Sequence, residues 1–319
     1  MSRTQSVRVR AFAKINLDLR VLHRRPDEFH ELRTIFQTIS LADRIEIAFT
    51  PARRSQITVE GNVQISGNLI TRAAERCLDA LRLAARVEFR LDKRIPMGAG
   101  MGGGSSDAAA VLLALPVLAR RPIPMEQLLR LAADLGSDVP FFLIGGTAAG
   151  VGRGTELYPL PDSGARSGIL VAPPVHVSTA DAYLRLSPRL TMESQQNKMV
   201  SFQCAVWTLG RALTGTGDSA AGVNDFETVV FEQHPQLKAL KQRLLRLGAR
   251  PAMMTGSGSA VFGLFATGAQ TACAIERIKE ERVFPIRFVS RKQYRAAWRA
   301  ELREHVNQSL WPPQSRYAR

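Results

Sequence analysis

The sequence predicts a two-domain protein in which each domain mixes helices and strands. A length of 319 residues suits two domains of ordinary size. Strand-like alternation and helical spacing both occur before residue 160, and a segment rich in Pro, Gly and Ser at 161–168 separates them from a second mixed segment at 169–291. We therefore expect one domain over 1–160, a second over 161–290, and a basic extension over 291–319.

The periodicity of apolar residues defines the elements of the first domain. Alternation predicts strands, and the spacing of Leu69, Ala73, Cys77 and Leu81 on one face predicts the first helix. The predicted strands span 7–21, 35–49, 57–60 and 87–91, and the predicted helices span 68–84, 106–118 and 125–135. In the extension, Tyr294, Trp298 and Leu302 recur at helical spacing among arginines, which predicts an amphipathic helix docked on the rest of the chain rather than on RNA.

Composition excludes several classes of protein. Hydrophobic residues at 45% and charged residues at 22% are typical of a soluble globular chain. No apolar run reaches the ~18 residues of a membrane span, and the N-terminus lacks the apolar core of a secretory signal. The three cysteines, Cys77, Cys204 and Cys273, are far apart, which argues against disulfides or a zinc site. We expect a cytoplasmic enzyme without a structural metal.

The formal net charge of +15 has two possible readings. A basic protein can bind nucleic acid, but it can equally bind small anionic substrates such as nucleotides. Arginine is spread along the whole chain, and no RNA-binding motif accompanies it. The distribution favours anionic small molecules and argues against a nucleic-acid partner.

The segment 96–107, PMGAGMGGGSSD, is the most informative part of the chain. Its glycines allow positive φ angles and close approach of the backbone to a ligand. An apolar, helix-forming segment follows directly, and the free N–H groups at a helix N-terminus favour phosphate. Ser105 and Ser106 stand where a helix cap, or a hydroxyl ligand to phosphate or Mg²⁺, would be needed. We interpret the segment as a phosphate-binding loop rather than an ordinary glycine-rich turn.

Three common types of phosphate loop do not fit this segment. A P-loop needs Lys and then Ser or Thr after its last glycine, and here Gly104 is followed by Ser105. A dinucleotide fingerprint should open the first βαβ unit, whereas about ninety residues precede this loop, and the Leu- and Ala-rich segment after it has no acid until Glu126. A protein-kinase loop should be followed by a strand lysine and an HRD motif, and neither occurs.

The segment resembles the ATP loop of the GHMP kinases, which reads P-x-x-x-G-L-G-S/G-S-S-A/D. Pro96, Gly100, Gly102 and Gly103 match this pattern in register, and Ser105, Ser106 and Asp107 match its end after one extra residue, Gly104. Met101 replaces the usual leucine, a swap that conserves volume and apolar character. The resemblance implies that ATP binds to Pro96, Met97, Gly98, Ala99, Gly100, Met101, Gly102, Gly103, Gly104, Ser105 and Ser106.

Other segments resemble one branch of these kinases, the 4-diphosphocytidyl-2-C-methyl-D-erythritol kinases. That branch carries A-K-I-N-L-x-L-x-V-x-x-R-R-x-D-G-Y-H-x-L-x-T-x-F-Q near its start and L-G-A-D-V-P-F-F further on. The chain has similar stretches at 13–43 and 135–154, a TGSGSAVFGLF turn at 255–265, and NDFE at 224–227. Glu28 and Phe29 replace Gly-Tyr, and the basic C-terminal extension is unusual.

The resemblance implies a fold and an activity. The expected fold is the α+β, two-domain GHMP kinase fold, with a left-handed βαβ crossover in the N-terminal domain and a ferredoxin-like C-terminal domain. The expected activity is ATP-dependent phosphorylation of the 2-hydroxyl of 4-diphosphocytidyl-2-C-methyl-D-erythritol. Mg²⁺ is expected with ATP, with no protein ligand assigned.

The resemblance also assigns catalytic roles to Lys14 and Asp138. Phosphoryl transfer needs a proton acceptor for the attacking alcohol, and the apolar DVPFF context of Asp138 suits a base. Lys14 would polarise the hydroxyl and keep the aspartate ionised. Outside the motif, Asp138 would be read as a helix cap or turn residue, and Lys14 as a surface lysine on a strand.

Matches outside the ATP loop imply the remaining contacts. Phe29 and Tyr183 would sandwich the cytosine, and His30 would read its polar edge, although core packing is an equally ordinary role for either aromatic ring. The other implied positions are Asn16, Phe36 and Thr179 for the substrate, and Asn68 and Lys93 for the adenine side of ATP. Two alternatives remain: a homoserine or mevalonate kinase, which should lack the R-R-x-D-x-[YF]-H segment, and a regulatory or RNA-binding protein that reuses the fold.

Overall fold

A computed structural model describes residues 4–65, 67–162, 164–214, 222–279, 282–307 and 310–317. The strands are β1 (Gln5–Arg24), β2 (His30–Pro51), β3 (Gln56–Gly61), β4 (Ala85–Asp92), β5 (Thr147–Gly152), β6 (Glu156–Pro159), β7 (Ser167–Ala172), β8 (Ala252–Met254), β9 (Val261–Phe265), β10 (Arg282–Arg287), β11 (Val306–Asn307) and β12 (Gln314–Ser315). The helices are α1 (Leu69–Leu81), α2 (Gly103–Leu118), α3 (Met125–Leu135), α4 (Val139–Ile144), α5 (Thr179–Leu186), α6 (Met192–Thr214), α7 (Glu227–Gln233), α8 (Pro235–Arg246), α9 (Gly268–Arg277) and α10 (Arg291–Glu301), with a short 3₁₀ turn at Ser187–Arg189.

The N-terminal sheet is built on the long β1–β2 hairpin. β1 pairs with one edge of β2, while β4 and β5 pair with the other edge, each over a different part of its length. β3 lies parallel to β4, and α1 makes the crossover between them. The long hairpin therefore extends across the sheet, and one of its ends lies towards the second domain.

The second sheet is antiparallel and has the strand order β10-β7-β9-β8. Helices α5 to α8 connect β7 to β8, and α9 connects β9 to β10. This β-α-β-β-α-β order is the ferredoxin-like arrangement. The expected α+β, two-domain GHMP kinase fold is confirmed by the solved structures described below.

Three clusters of buried apolar residues hold the chain together. One packs β1, β2 and β4 against α1 to α4, and a second fills the space between β7–β9 and helices α5, α7, α8 and α9. The third joins the two sheets, and it includes Ile15, Ile35, Met101 and Phe262. The glycine-rich loop is therefore anchored where the two sheets meet, because Ala99 and Met101 belong to this joining cluster.

Most predicted elements occur close to their expected positions, with one informative shift. α2 begins at Gly103 rather than near Ser106, because Gly102 takes a left-handed conformation (φ 67°) and starts the helix without a side-chain cap. The helix is buried on nearly every side, as its uniformly apolar composition requires. Part of the glycine run is thus the first helical turn.

The C-terminal segment packs on the N-terminal sheet rather than on its sequence neighbours. Tyr294, Trp298 and Leu302 are at most 2% exposed and lie in the same cluster as α1 and α2. The hydroxyl of Tyr294 donates a hydrogen bond to the Phe142 carbonyl, and Trp311 Nε1 donates to the Leu143 carbonyl at 3.0 Å. The segment therefore satisfies carbonyls at the C-terminus of α4.

The expected domain limits of 1–160, 161–290 and 291–319 stay predictions. Residues 1–3, 66, 163, 215–221, 280–281, 308–309 and 318–319 of those ranges lie outside the described residues. The helix in the extension is shorter than its range, since α10 ends at Glu301 and a short β11–β12 hairpin follows.

Replacing Trp298 tests whether the C-terminal helix is part of the N-terminal core. We expect Trp298→Ala to lower the free energy of unfolding by ~3–5 kcal/mol, because it opens a cavity beside Tyr294. The exposed Lys292 on the same helix provides a control, and Lys292→Ala should change it by less than ~0.5 kcal/mol. Denaturant unfolding measures both, and equal stability of the two variants would contradict docking.

Candidate active site

A cleft of about 1000 Å³ opens between the two sheets and contains many of the predicted site residues. Its walls come from β1 and β2, the glycine-rich loop, the start of α4, and α5. The predicted residues that line it are Lys14, Asn16, Phe29, His30, Phe36, Gly98, Gly100, Gly102, Ser105, Asp138, Thr179 and Tyr183. Segments far apart in sequence are therefore gathered around one space.

Lys14 and Asp138 meet at the floor of this cleft. The Lys14 Nζ lies 3.4 Å from Asp138 Oδ2 and donates hydrogen bonds to Asn16 Oδ1 at 2.8 Å and to the Gly100 carbonyl at 3.0 Å. The lysine side chain is 4% exposed, whereas that of Asp138 is 32% exposed. Asp138 precedes α4 but makes no side-chain cap, so its carboxylate is open to the cleft. The Asp138 carboxylate is therefore open to the cleft, and the buried Lys14 ammonium balances its charge.

Asn16 holds this lysine in place rather than facing the cleft freely. Its Oδ1 also accepts from Gly256 N at 3.0 Å, and its Nδ2 donates to Thr34 Oγ1 at 2.8 Å. The residue is only 2% exposed. The polar atoms of Asn16 are thus largely occupied within the protein, and its expected contact with substrate stays a prediction.

The turn at 255–260 is in direct contact with the glycine-rich loop. A Cβ at Gly100, which has a φ of +81°, would lie 2.1 Å from the Thr255 carbonyl oxygen, so only glycine fits there. Asn224 fixes the turn by donating to the Met254 and Gly256 carbonyls at 2.8 Å. The two glycine turns therefore form one wall, made by both halves of the chain.

The first turn of α2 lies in the glycine-rich loop that forms part of this wall. Among the described residues, no backbone acceptor is found for the N–H groups of Gly103, Gly104 and Ser105, as is usual for a helix start. Ser106 differs, because its N–H bonds to the Gly102 carbonyl and its hydroxyl donates to the Phe12 carbonyl at 2.7 Å. Ser106 is 2% exposed and anchors α2 on β1, and Gly102 rather than Ser106 is the N-cap of the helix. The predicted contact of Ser106 with ATP stays a prediction.

Several other loop residues face the protein rather than the cleft. Ala99 and Met101 are at most 5% exposed and serve as apolar anchors. A Cβ at Gly103 would lie 3.0 Å from atoms of Lys93 and Ile95, so a side chain there would point beneath the loop. Met97, by contrast, is 58% exposed. Contacts of Pro96, Met97 and Gly104 with ATP stay predictions.

Lys93 lies under the loop in a buried ionic cluster. Its Nζ is 2.6 Å from both Asp43 Oδ2 and Asp107 Oδ2, and its side chain is 5% exposed. Burial alone would lower the pKa of Lys93, but the two carboxylates raise it above its ordinary value. The lysine therefore joins β2, β4 and α2 below the glycine-rich loop, and its predicted contact with the adenine side of ATP stays a prediction.

Asp107 is the unusual member of this cluster. Burial raises its pKa to about 7 against the opposing effect of Lys93, and the Asp43 carboxylate adds to the rise. Its Oδ1 is buried and has no hydrogen-bond partner among the described residues, whereas Asp43 Oδ1 accepts from the N–H groups of Arg94 and Ile95. Asp107 is thus close to half-protonated at neutral pH.

Asn68 lies apart from the main cleft. It is the N-cap of α1, where its Oδ1 accepts from Ile70 N at 3.0 Å, and it lines a separate groove of about 700 Å³. A Cβ at Gly104 would be 3.7 Å from a methyl of Leu69, so this groove begins next to the glycine-rich loop. The position is compatible with a nucleoside that extends from phosphates held at α2.

Phe29 and Tyr183, the two rings predicted to sandwich the cytosine, each contact another side chain in the structure. Phe29 is 48% exposed, and the Arg153 guanidinium lies over its ring, 4.5 Å from the centroid. The His30 ring stacks on Tyr183 at 4.5 Å, and His30 Nε2 lies 2.7 Å from Ser187 Oγ. Burial, together with the charges of Arg24 and His23, lowers the pKa of His30, so the ring is neutral at pH 7.

Thr179 and Phe36 complete the walls. Thr179 Oγ1 lies 2.7 Å from Ser257 Oγ, which links α5 to the second glycine turn. Phe36 is 3% exposed and packs against Phe141 with the rings tilted and their centroids 5.0 Å apart, beneath the ammonium of Lys14. Substrate contacts by these two residues stay predictions.

Sequence reasoning missed four residues that matter to the cleft. Arg153 and His176 line it, and a Cβ at Gly98 would be 3.6 Å from the His176 ring. Ser257 faces Thr179, and Asp43 completes the buried cluster. The glycines on both sides of Arg153 were the one local signal of an exposed cationic turn.

Comparison with known proteins explains this arrangement. The family models for the GHMP kinases N terminal domain and the GHMP kinases C terminal domain match residues 68–146 and 208–281. A 4-diphosphocytidyl-2-C-methyl-D-erythritol kinase of Solibacter usitatus (strain Ellin6076) is 58% identical over 321 residues, covering 99% of each chain. The chain belongs to the 4-diphosphocytidyl-2-C-methyl-D-erythritol kinase family of GHMP kinases.

Solved structures agree with membership of this kinase family. A crystal structure of 4-(cytidine 5'-diphospho)-2C-methyl-D-erythritol kinase is 35% identical, with a TM-score of 0.73, and the match covers 88% of this chain and 98% of that one. A homoserine kinase from Cytophaga hutchinsonii is 17% identical with a TM-score of 0.67, covering 89% of this chain and 95% of that one, which shows a shared fold alone. The predicted family and the prediction of a small-molecule kinase are confirmed.

Neither a metal-holding group of side chains nor a membrane-spanning helix is found among the residues that the structure describes. Within them, no three His, Cys, Asp or Glu side chains are grouped so that they could hold a metal ion. In the same part of the chain, every helix is too short or too polar to cross a membrane.

The protonation of Asp107 predicts a pH-dependent stability. Asp107 titrates near pH 4 when unfolded but near pH 7 when folded, so the folded state binds the extra proton between these values. Wild-type unfolding free energy should therefore fall as pH rises through this window, by at most ~1.4 kcal/mol per pH unit from this group. Asp107→Asn removes the effect, so its stability relative to wild type should rise from pH 4 to 7. Denaturant unfolding at pH 5, 6, 7 and 8 measures the difference, and a constant difference would contradict the raised pKa.

Proposed function

We propose that this chain transfers the γ-phosphoryl group of ATP to the 2-hydroxyl of 4-diphosphocytidyl-2-C-methyl-D-erythritol. The products are the 2-phosphate and ADP, in isopentenyl diphosphate biosynthesis by the non-mevalonate pathway. The observation that carries the proposal is the Lys14–Asp138 pair, 3.4 Å apart, placed beside a glycine-rich helix start. Family membership at 58% identity over the whole chain supports the same reaction.

The pair supplies what the attacking alcohol needs. The Asp138 carboxylate accepts the hydroxyl proton as the alcohol oxygen forms its bond to the γ-phosphorus and the bond to the β-phosphate oxygen breaks. Lys14, held by Asn16 and the Gly100 carbonyl, cannot turn away from the aspartate. Its charge stabilises the ionised carboxylate before transfer and the developing negative charge on oxygen during transfer.

The phosphates of ATP would lie on the first turn of α2. Its free N–H groups and the positive end of the helix dipole favour anions there. Contact between Gly100 and Thr255 brings the second turn over the same space, so both sheets contribute to its walls. The groove beside Asn68 would then receive the nucleoside, next to the loop.

Mg²⁺ would enter with ATP as part of the nucleotide complex. The donors that face the cleft include the Ser105 hydroxyl and the Asp138 carboxylate, but the latter is paired with Lys14. Phosphate oxygens and water therefore fit as the main ligands, as is common for Mg²⁺ with nucleotides. The ion supplies charge neutralisation of the phosphates when bound.

The cytidine end of the substrate would occupy the aromatic part of the cleft. Phe29 offers an exposed ring face, and base stacking on such a ring is worth ~1–3 kcal/mol. His30, neutral at pH 7 and fixed by Ser187, can serve the polar edge of a base once its stack with Tyr183 adjusts.

ADP release from purified protein with ATP and a panel of alcohols tests the proposed substrate. We expect turnover with 4-diphosphocytidyl-2-C-methyl-D-erythritol and background rates with homoserine and mevalonate. Turnover with one of the latter two would favour that kinase instead. Background rates with all three alcohols, in a protein that binds ATP, would favour a regulatory role.

Replacing Asp138 tests its role as the base. Asp138→Asn should keep the fold and ATP affinity but lower kcat by ~10²–10⁴-fold, because a positioned base contributes that much. Asp134→Asn, an exposed carboxylate on α3, is the matched control and should turn over like wild type. Steady-state kinetics with calorimetry of ATP binding measures both, and near-wild-type turnover of folded Asp138→Asn would rule out the assignment.

Replacing Phe29 tests whether its ring is the surface on which the cytosine base stacks. Phe29→Tyr keeps the ring and adds a hydroxyl worth ~0.5–1.5 kcal/mol, so KM for the cytidyl substrate should shift by about tenfold or less. Phe29→Ala removes the stack and should raise that KM much further, with KM for ATP unchanged. Tyr158→Ala, an exposed ring outside the cleft, is the control. An unchanged substrate KM in Phe29→Ala would assign the residue to packing.

A further inference from the structure

The turn between β5 and β6 places one cation in the middle of the cleft. Gly152 and Gly154, with φ angles of 65° and 87°, flank Arg153 on this turn. The β2–β5 register pairs Gly152 with Leu32, close to the start of β2. The Arg153 side chain thus returns over the sheet edge and lies on the Phe29 ring, 4.5 Å from its centroid.

The turn that carries Arg153 lies between the ring of Phe29, the proposed stacking surface for the base, and the reacting groups. On one side is the exposed Phe29 ring. On the other, a Cβ at Gly154 would lie 3.7 Å from the Phe36 ring, whose centroid is 5.5 Å from Lys14 Nζ. The substrate has the same order, since its diphosphate joins the cytidine to the methylerythritol.

The charge of Arg153 is also not balanced by an acidic side chain among the described residues. Among the residues that the structure describes, Arg153 forms no ion pair, whereas Lys14 pairs with Asp138 and Arg24 pairs with Glu28 in the same cleft. A planar guanidinium with several donors suits phosphate oxygens, and the contact with Phe29 limits the orientations that it can take. An unpaired arginine of this kind fits a ligand that brings negative charge to the middle of the cleft.

We propose that Arg153 binds the diphosphate of the cytidyl substrate and so sets the preference for a nucleoside diphosphate over a nucleoside. This inference rests on the proposed function, because it uses the substrate named there. It differs from a role in supporting the ring of Phe29, which would strengthen the binding of cytidine, CMP and CDP by the same factor.

Calorimetry with cytidine, CMP and CDP on the full chain separates these roles. We expect Arg153→Met to weaken CDP binding by about tenfold or more, the scale of a lost hydrogen bond between charged groups, and CMP binding by less. Cytidine binding should change by less than about twofold. Arg153→Lys, which keeps a point charge, should recover part of the CDP affinity. The control Arg54→Met removes an exposed arginine on the β2–β3 turn and should leave all three affinities unchanged.

The outcomes are distinguishable. An equal loss for all three ligands, or no loss for CDP, would overturn the role of Arg153 while leaving the proposed function intact. If wild-type protein binds none of the three ligands, the cytidyl substrate itself is wrong and this inference falls with it. An unchanged ATP affinity and melting temperature in Arg153→Met would show that the variant is folded, and Arg153→Lys gives a second, conservative measurement.

Discussion

A buried ammonium group determines how the cleft is assembled. Lys14 is 3% exposed, and an ammonium so far from water is costly unless its hydrogen bonds and charge are satisfied. Its partners come from β1 itself, from the glycine-rich loop at Gly100 and from the start of α4 at Asp138. Asn16 extends the network to Gly256 in the second half of the chain. The folded state can therefore accept this lysine only when all of these elements are in place.

A second set of charges lies on the opposite side of the loop. The Asp43–Lys93–Asp107 cluster has no net charge when Asp107 is protonated and one negative charge when it is ionised. Because the pKa of Asp107 is raised to about 7, the neutral form is substantially populated under ordinary conditions. The cluster thus joins β2, β4 and α2 without placing a full negative charge under a surface that favours anions.

Local sequence patterns were sufficient for the family, the main elements and twelve of the residues that line the cleft, since each motif carries its own turn or strand chemistry. They were insufficient where a side chain meets a distant partner. They did not indicate that Lys93 pairs with Asp43, which lies 50 residues earlier, or that Ser106 bonds to the Phe12 carbonyl, which lies 94 residues earlier. The contact of Arg153 with Phe29 is equally non-local. The start of α2 was misplaced because glycine in a left-handed conformation can begin a helix.

The hydrogen bonds at the C-terminus of α4 also determine when this part of the protein can finish folding during synthesis. The donors on Tyr294 and Trp311 follow their acceptor carbonyls by 152 and 168 residues in the chain. A ribosome makes the acceptors first, and domains fold from the N-terminus as they emerge. The last carbonyls of α4, the helix that begins beside Asp138, therefore lack these two donors until the later segment has been translated. In this enzyme the N-terminal half becomes complete only after Trp311 has been translated.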